Sequence, residues 1–173
     1  MNKISPEQIT ISELDDNDKE AVRQLLIESY RQYEPEYSSP QIWEEYLADM
    51  IASVNSRDVD KIFVAKNHHH ILGTLQLFRN SEKAYGMPEL GISAPIIRLL
   101  GVHPKARGFG VAQKLLKASI EYAKDQGAVS IYLHSSDKMS KAISLYKWFG
   151  FIRDQSKDFN KHDIYVKCLR LDL

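Results

Sequence analysis

The chain is poor in cysteine, with one residue in 173, Cys168. A lone thiol closes no intramolecular disulfide and excludes a Cys-based zinc framework, which suits a reducing compartment. Long apolar runs are missing as well. No stretch approaches the roughly 18 apolar residues of a membrane span, and residues 1–20 lack the apolar segment of a secretory signal. The expectation is a soluble cytoplasmic protein with no membrane partner. Excess charge of one sign is also absent: Lys plus Arg is 23 and Asp plus Glu is 23. Proteins built around nucleic acid usually show a basic excess. Nucleic acid is therefore not expected as a partner, and only local basic patches remain as anion sites. No repeat, low-complexity tract or Pro/Gly/Ser linker divides the chain, so one domain over residues 1–173 is expected. At 43% hydrophobic and 27% charged, it can bury a core without disulfides or structural metal.

Periodicity then places the elements. Residues 9–14 alternate as a strand, and Asp15 to Asp18 supply capping chemistry for a helix carrying Val22, Leu25, Leu26 and Tyr30. Pro40 opens a second helix with Ile42, Tyr46 and Met50 on one face. Residues 61–66 and 71–78 read as a hairpin, residues 79–93 as a loop, and residues 94–102 as a strand buried on both faces. A helix over 108–126 carries Val111, Leu115, Ala118 and Tyr122, and Gly127 stops it. Residues 129–134 alternate as a strand. Ser136 and Asp137 cap a last helix with Met139, Ala142, Ile143 and Tyr146 inward, and strands at 151–153 and 164–171 follow. The order is β-α-α-β-β-β-α-β-α-β-β, an α/β fold with a mixed sheet.

The richest segment is Val102-His103-Pro104-Lys105-Ala106-Arg107-Gly108-Phe109-Gly110-Val111-Ala112. It leads from a buried strand into the first turn of an amphipathic helix. The opening amides of a helix lack internal partners, and its dipole is positive at that end. Gly108 and Gly110 let an anion approach the backbone, while Lys105 and Arg107 add charge. These parts suit a pyrophosphate. They do not form a Walker A loop, and a dinucleotide fingerprint fails because Gln113 stands at the third glycine position. A glycine-relaxed turn with two solvated cations is the plain alternative. One strand and helix further on, Ala142-Ile143-Ser144-Leu145-Tyr146-Lys147-Trp148-Phe149-Gly150-Phe151 places a tyrosine four residues before a helix-ending glycine.

These two segments together resemble the GCN5-related N-acetyltransferase (GNAT) superfamily. Arg107-Gly108-Phe109-Gly110-Val111-Ala112 is similar to its Arg/Gln-x-x-Gly-x-Gly/Ala pattern, and residues 142–151 to its Ala-x-x-Leu-Tyr-x-x-x-Gly-Phe helix. The resemblance implies a central mixed sheet, splayed between its fourth and fifth strands and flanked by helices. It implies acetyl-CoA as co-substrate, no metal, and a primary amine of a small molecule or protein as acceptor. The pyrophosphate would rest on the amides of Arg107 through Ala112. The pantetheine arm would lie along Leu100, Gly101 and Val102, with Ala142 and Tyr146 beside it. Many members carry Asn where this chain has Met139, and Ser140 is the candidate substitute. A homodimer is common in the superfamily, although no interface is marked in the sequence.

Acyl transfer to an amine then assigns roles. Tyr146 would protonate the departing thiolate, and the Leu100 amide would polarise the carbonyl. His134 ranks ahead of His103 as general base, since alternation puts it with Ser130 and Tyr132. A structural histidine is the plain alternative for each, and water relay is the default. Arg98 stands where an acidic strand residue would serve as base. Tyr30, Tyr33 and Glu34, with Glu36 and Tyr37, form an aromatic and acidic segment in the region that commonly borders the acceptor. A cationic amine would dock there. Asp158 and Phe159 are further candidates for that rim. His68-His69-His70 reads as a polar turn, because three consecutive side chains do not converge on a metal. A non-catalytic acyl-CoA-binding module, or a transferase for a longer acyl-CoA, is the competing reading.

Overall fold

A computed structural model of the chain describes residues 6–173. Strands β1 (Ile9–Glu13), β2 (Lys61–Asn67), β3 (His70–Phe78), β4 (Ile96–Val102), β5 (Ser130–Ser136), β6 (Ile152–Arg153), β7 (Phe159–Lys161) and β8 (Ile164–Asp172) form one sheet. Its order is β1-β2-β3-β4-β5-β8-β6, with β7 also paired to β8. Helices α1 (Lys19–Tyr30), α2 (Pro40–Ser53), α3 (Ser81–Tyr85), α4 (Val111–Asp125) and α5 (Ser140–Trp148) cover it. The mixed α/β architecture agrees with the sequence.

Apolar alternation gives the sheet two packed faces. On one, Leu75, Leu77, Ile97, Ile131 and Leu133 meet Leu115 and Leu116 of α4. On the other, Val64 and Leu99 meet Val22 and Leu26 of α1 and Trp43 and Met50 of α2. Truncating a fully buried leucine such as Leu26 or Leu115 to alanine would cost about 2–5 kcal/mol.

The relation of β4 to its two neighbours positions the site. All neighbouring strands run antiparallel except β4 and β5, which are parallel and pair only at Ile96–Tyr132 and Ile97–Leu133. On the other side, Gln76 faces Arg98 while Thr74 faces Gly101, so β4 carries one extra residue. Leu99 adopts φ 51° there. Such a bulge turns two successive side chains to one face. Leu99 packs with α1 and α2, and Arg98 stands opposite Gln76, whose amide donates to Ser53 of α2. Beyond the bulge β4 leaves β5, and a crevice opens between them.

Several expectations change. Residues 79–93 are not all loop, because Asn80 Oδ1 accepts from the Lys83 amide at 2.9 Å and starts α3, and Gly86 ends it at φ 65°. Helix α4 starts at Val111, since Gly108 and Gly110 hold φ of 86° and 79°. Ser136 accepts from the Lys138 amide in a turn and does not cap α5. Strand β4 is buried on both faces only at its start, and its later residues alternate because they border the crevice. Trp43 takes the core position expected of Ile42.

Candidate active site

The glycine loop fits an anion by its geometry. Lys114 N donates to Gly110 O at 3.1 Å, which leaves the amides of Val111, Ala112 and Gln113 without an intrahelical acceptor. A Cβ built on Gly108 would meet no protein atom within 4 Å, and one on Gly110 only Gln113 Oε1 at 3.7 Å. Positive φ, not crowding, therefore favours glycine at both places, and the space above the loop is open. Val111 sends its side chain into the core, and Phe109 packs partly against the same cluster. Arg107 Nη2 donates to Ser29 O at 3.4 Å, and Lys105 is exposed.

A cavity runs from Arg107 and Ala112 along Leu100, Gly101 and Val102 to Ala142 and Tyr146. Most residues expected to meet the cofactor arm are thus brought together. At Gly101 an added Cβ would lie 2.6 Å from Ser29 Oγ, so glycine lets α1 press against the strand. The Tyr30 hydroxyl donates to Leu100 O at 3.0 Å. Ser140 is exposed at the start of α5 and lines neither cavity.

A second cavity adjoins the first, and the two share Tyr30, Tyr33, Leu100, Met139 and Tyr146. Tyr146 is 7% exposed, its ring in a T-shaped pair with that of Phe151, and burial, reinforced by Tyr33, raises its pKa. The second cavity also holds Tyr37, Tyr46, Tyr85, Arg98, His134 and Phe159. His134 is on the predicted face, yet both ring nitrogens are engaged, by the Tyr85 hydroxyl and by Lys157 O, each at 3.0 Å. Burial foremost brings its pKa down to about 4. Neither nitrogen is open to an incoming amine, which departs from the expected role as direct base.

Other candidates lie elsewhere. His103 Nδ1 accepts from the Lys105 amide at 3.1 Å and its Nε2 meets Glu28 at 2.8 Å, outside both cavities. Glu34 is exposed and lines neither, whereas Glu36 and Tyr37 line the second. Asp158 is turned away from the cavity and bound to Arg153, Tyr165 and the Cys168 amide. His68, His69 and His70 are exposed at the β2–β3 turn, with His68 at φ 55°. Sequence reasoning missed Tyr85, whose short helix it read as loop, and Ser135. The Ser135 hydroxyl lines the second cavity, buried, with no hydrogen-bond partner among the described residues.

Among the described residues no helix is long and apolar enough to cross a membrane. N-acetyltransferase 8B of Rattus norvegicus is 27% identical over 119 residues, covering 64% of this chain and 51% of that protein. The chain thus spans about half the length of that relative. The PaiA N-acetyltransferase of Thermoplasma acidophilum, solved in complex with coenzyme A, superposes with a TM-score of 0.68 at 16% identity. That match covers 92% of this chain and 97% of the other. The putative acetyltransferase yncA of Salmonella typhimurium, solved with acetyl-CoA, gives a TM-score of 0.66 at 16% identity over 95% of this chain and 94% of that one. The family model described as Acetyltransferase (GNAT) family matches residues 19–151, and the chain belongs to that family.

Proposed function

We propose that this chain, as one domain over residues 1–173, transfers the acetyl group of acetyl-CoA to a primary amine of a small molecule or protein. The observation that carries this reading is the junction of two cavities at Tyr146 and Leu100, in the crevice between β4 and β5. One cavity begins at a loop suited to a pyrophosphate, and the other is an aromatic chamber for the acceptor.

In this reading the amides of residues 107–112, with Lys105 and Arg107 near them, hold the pyrophosphate. The open space over Gly108 and Gly110 supports that fit. The arm lies along the backbone of Leu100, Gly101 and Val102 and past Ala142. Holding both reactants in one cleft supplies up to about 7–11 kcal/mol of the barrier reduction. The Leu100 amide faces the thioester carbonyl, and one such donor contributes about 3–4 kcal/mol. The amine nitrogen bonds to the carbonyl carbon, the C–S bond breaks, and the thiolate takes the Tyr146 proton. Burial keeps that phenol protonated, as an acid requires. The proton of the amine leaves to water at the chamber mouth, and His134 braces Tyr85 without accepting it directly. Tyr30 and Tyr33 bound the acceptor where the cavities join.

Calorimetry with acetyl-CoA, together with thiol release across a panel of primary amines, tests the reading. Saturable binding and amine-dependent release are expected. Absence of acetyl-CoA binding would overturn it. Tight binding with silence across the panel would instead favour an acyl-CoA-binding module, which the apolar Met139 at the junction also favours.

A further inference from the structure

Four arginines are half-buried: Arg23, Arg98, Arg153 and Arg170. Arg23 pairs with Glu20, Arg153 with Asp158, and Arg170 with Asp154 and Asp172. Arg98 has no carboxylate partner among the described residues. It is instead fixed by neutral groups. Its Nη1 donates to Ala84 O at 2.6 Å, and its guanidinium carbon lies 4.8 Å from the Tyr85 ring centre and 5.6 Å from that of Phe78. A half-desolvated guanidinium gains most from a planar anion that takes two of its N–H donors. Arg98 lines the acceptor chamber, so the partner it lacks can come from a ligand.

We propose that the acceptor is a short aminocarboxylate with an aromatic or apolar body, its carboxylate seated on Arg98. The proposal rests on the acetyl-transfer reading above and narrows its substrate. Length supports it, because Arg98 stands two residues before Leu100, at most about 7 Å along a strand. An amine two to four bonds from its carboxylate carbon spans that interval once the Arg98 side chain reaches into the chamber. Charge supports it too. Lys161 also lines the chamber, and burial first and Arg98 second lower its pKa, against a weaker pull from Asp49. Glu36 is the carboxylate among the chamber-lining residues. A polycation would meet Arg98 and Lys161 as like charges, whereas a carboxylate meets them as counterions. The same two cations disfavour an ammonium and so favour the neutral amine that attacks. The tyrosine walls supply flat apolar surface for the body of the molecule.

Two matched probes test the seat without requiring turnover. With CoA present, 3-phenylpropionate is titrated against its uncharged amide, and the acid is expected to bind at least tenfold more tightly. Arg98→Gln should reduce that preference to within threefold, and Lys161→Gln should reduce it partially. Equal binding of acid and amide to the unsubstituted protein would overturn the proposal, a comparison that needs no variant to fold. Survival of the full preference in Arg98→Gln would overturn it as well. In turnover, phenylalanine should exceed phenethylamine in kcat/KM by a similar factor, and the reverse order would refute the seat. Acetyl-CoA affinity, measured on the same samples, separates the two readings. Its absence defeats the acetyl-transfer reading, while its presence with no carboxylate preference defeats this one alone.

Discussion

The Tyr85 hydroxyl stands 3.0 Å from Nδ1 of His134, while Nε2 of the same ring stands 3.0 Å from the Lys157 carbonyl oxygen. A carbonyl can only accept, so Nε2 carries the hydrogen and Nδ1 accepts from the phenol. Tyr85 and Phe159 pack on the imidazole with ring centres 5.0 and 5.1 Å away. The ring is thereby held neutral as part of the chamber wall.

A neutral buried histidine makes stability depend on pH. Burial is the main cause that brings the folded pKa to about 4, opposed by the Lys157 carbonyl and Asp158. The unfolded value is about 6.5. Between these values the unfolded chain binds the proton more readily, so stability falls as pH drops from about 6.5 toward 4. From pH 7 to pH 5 this one group should remove roughly 2 kcal/mol. Urea unfolding at the two pH values should show the loss in the unsubstituted protein and a smaller one in His134→Gln. An equal loss in both would place the pH dependence elsewhere.

How much of this was legible in the sequence depends on how local each signal is. Glycine-rich turns, helical stripes and the Tyr146 helix are local, so the loop could be read directly, while Leu100, Gly101 and Val102 were marked only by the family resemblance. The bulge at Leu99 is not local. It arises from pairing β4 against β3 and leaves no mark in the run IIRLLGV, so the docking of Arg98 on Ala84 and Tyr85 of α3 was invisible. Tyr85 was hidden because a five-residue helix carries too few turns to show a period. His134 illustrates the reverse case. Alternation gave its face correctly, but partners 49 and 23 residues distant occupy its nitrogens.

Tyr146→Phe removes the proposed acid while keeping the ring that packs near Phe151. A general acid typically contributes about 10²–10⁴-fold. kcat should fall by about 10²-fold or more, with acetyl-CoA affinity changed less than threefold. Steady-state kinetics and calorimetry on one preparation check both numbers. An unchanged kcat would assign Tyr146 to packing alone.

Gly110→Ala tests the loop. The residue holds φ 79°, and an added Cβ has room, so strain comes from the backbone and amounts to about 1–2 kcal/mol. Thermal unfolding should show that modest loss. Acetyl-CoA affinity should fall further, by tenfold or more, because relaxing φ reorients the amides that open α4. Unchanged affinity with lowered stability would move the pyrophosphate away from this loop.

Asp158 gives an acid-side counterpart to His134. Its side chain is 5% exposed and accepts from both terminal nitrogens of Arg153, from Tyr165 and from the Cys168 amide. Burial alone would raise its pKa, but these donors outweigh it and hold the carboxyl near 2. A depressed carboxyl contributes stability above about pH 4 and loses it as pH falls toward 2. Asp158→Asn leaves Arg153 half-buried without its counterion and should cost about 2–4 kcal/mol at pH 7. The gap between the two proteins should narrow as pH drops from 4 to 2, which urea midpoints would show. Acetyl-CoA affinity at pH 7 should stay within threefold, since Asp158 braces the β8 edge and faces away from both cavities. A large change in that affinity, with stability unaltered, would return Asp158 to the rim of the site.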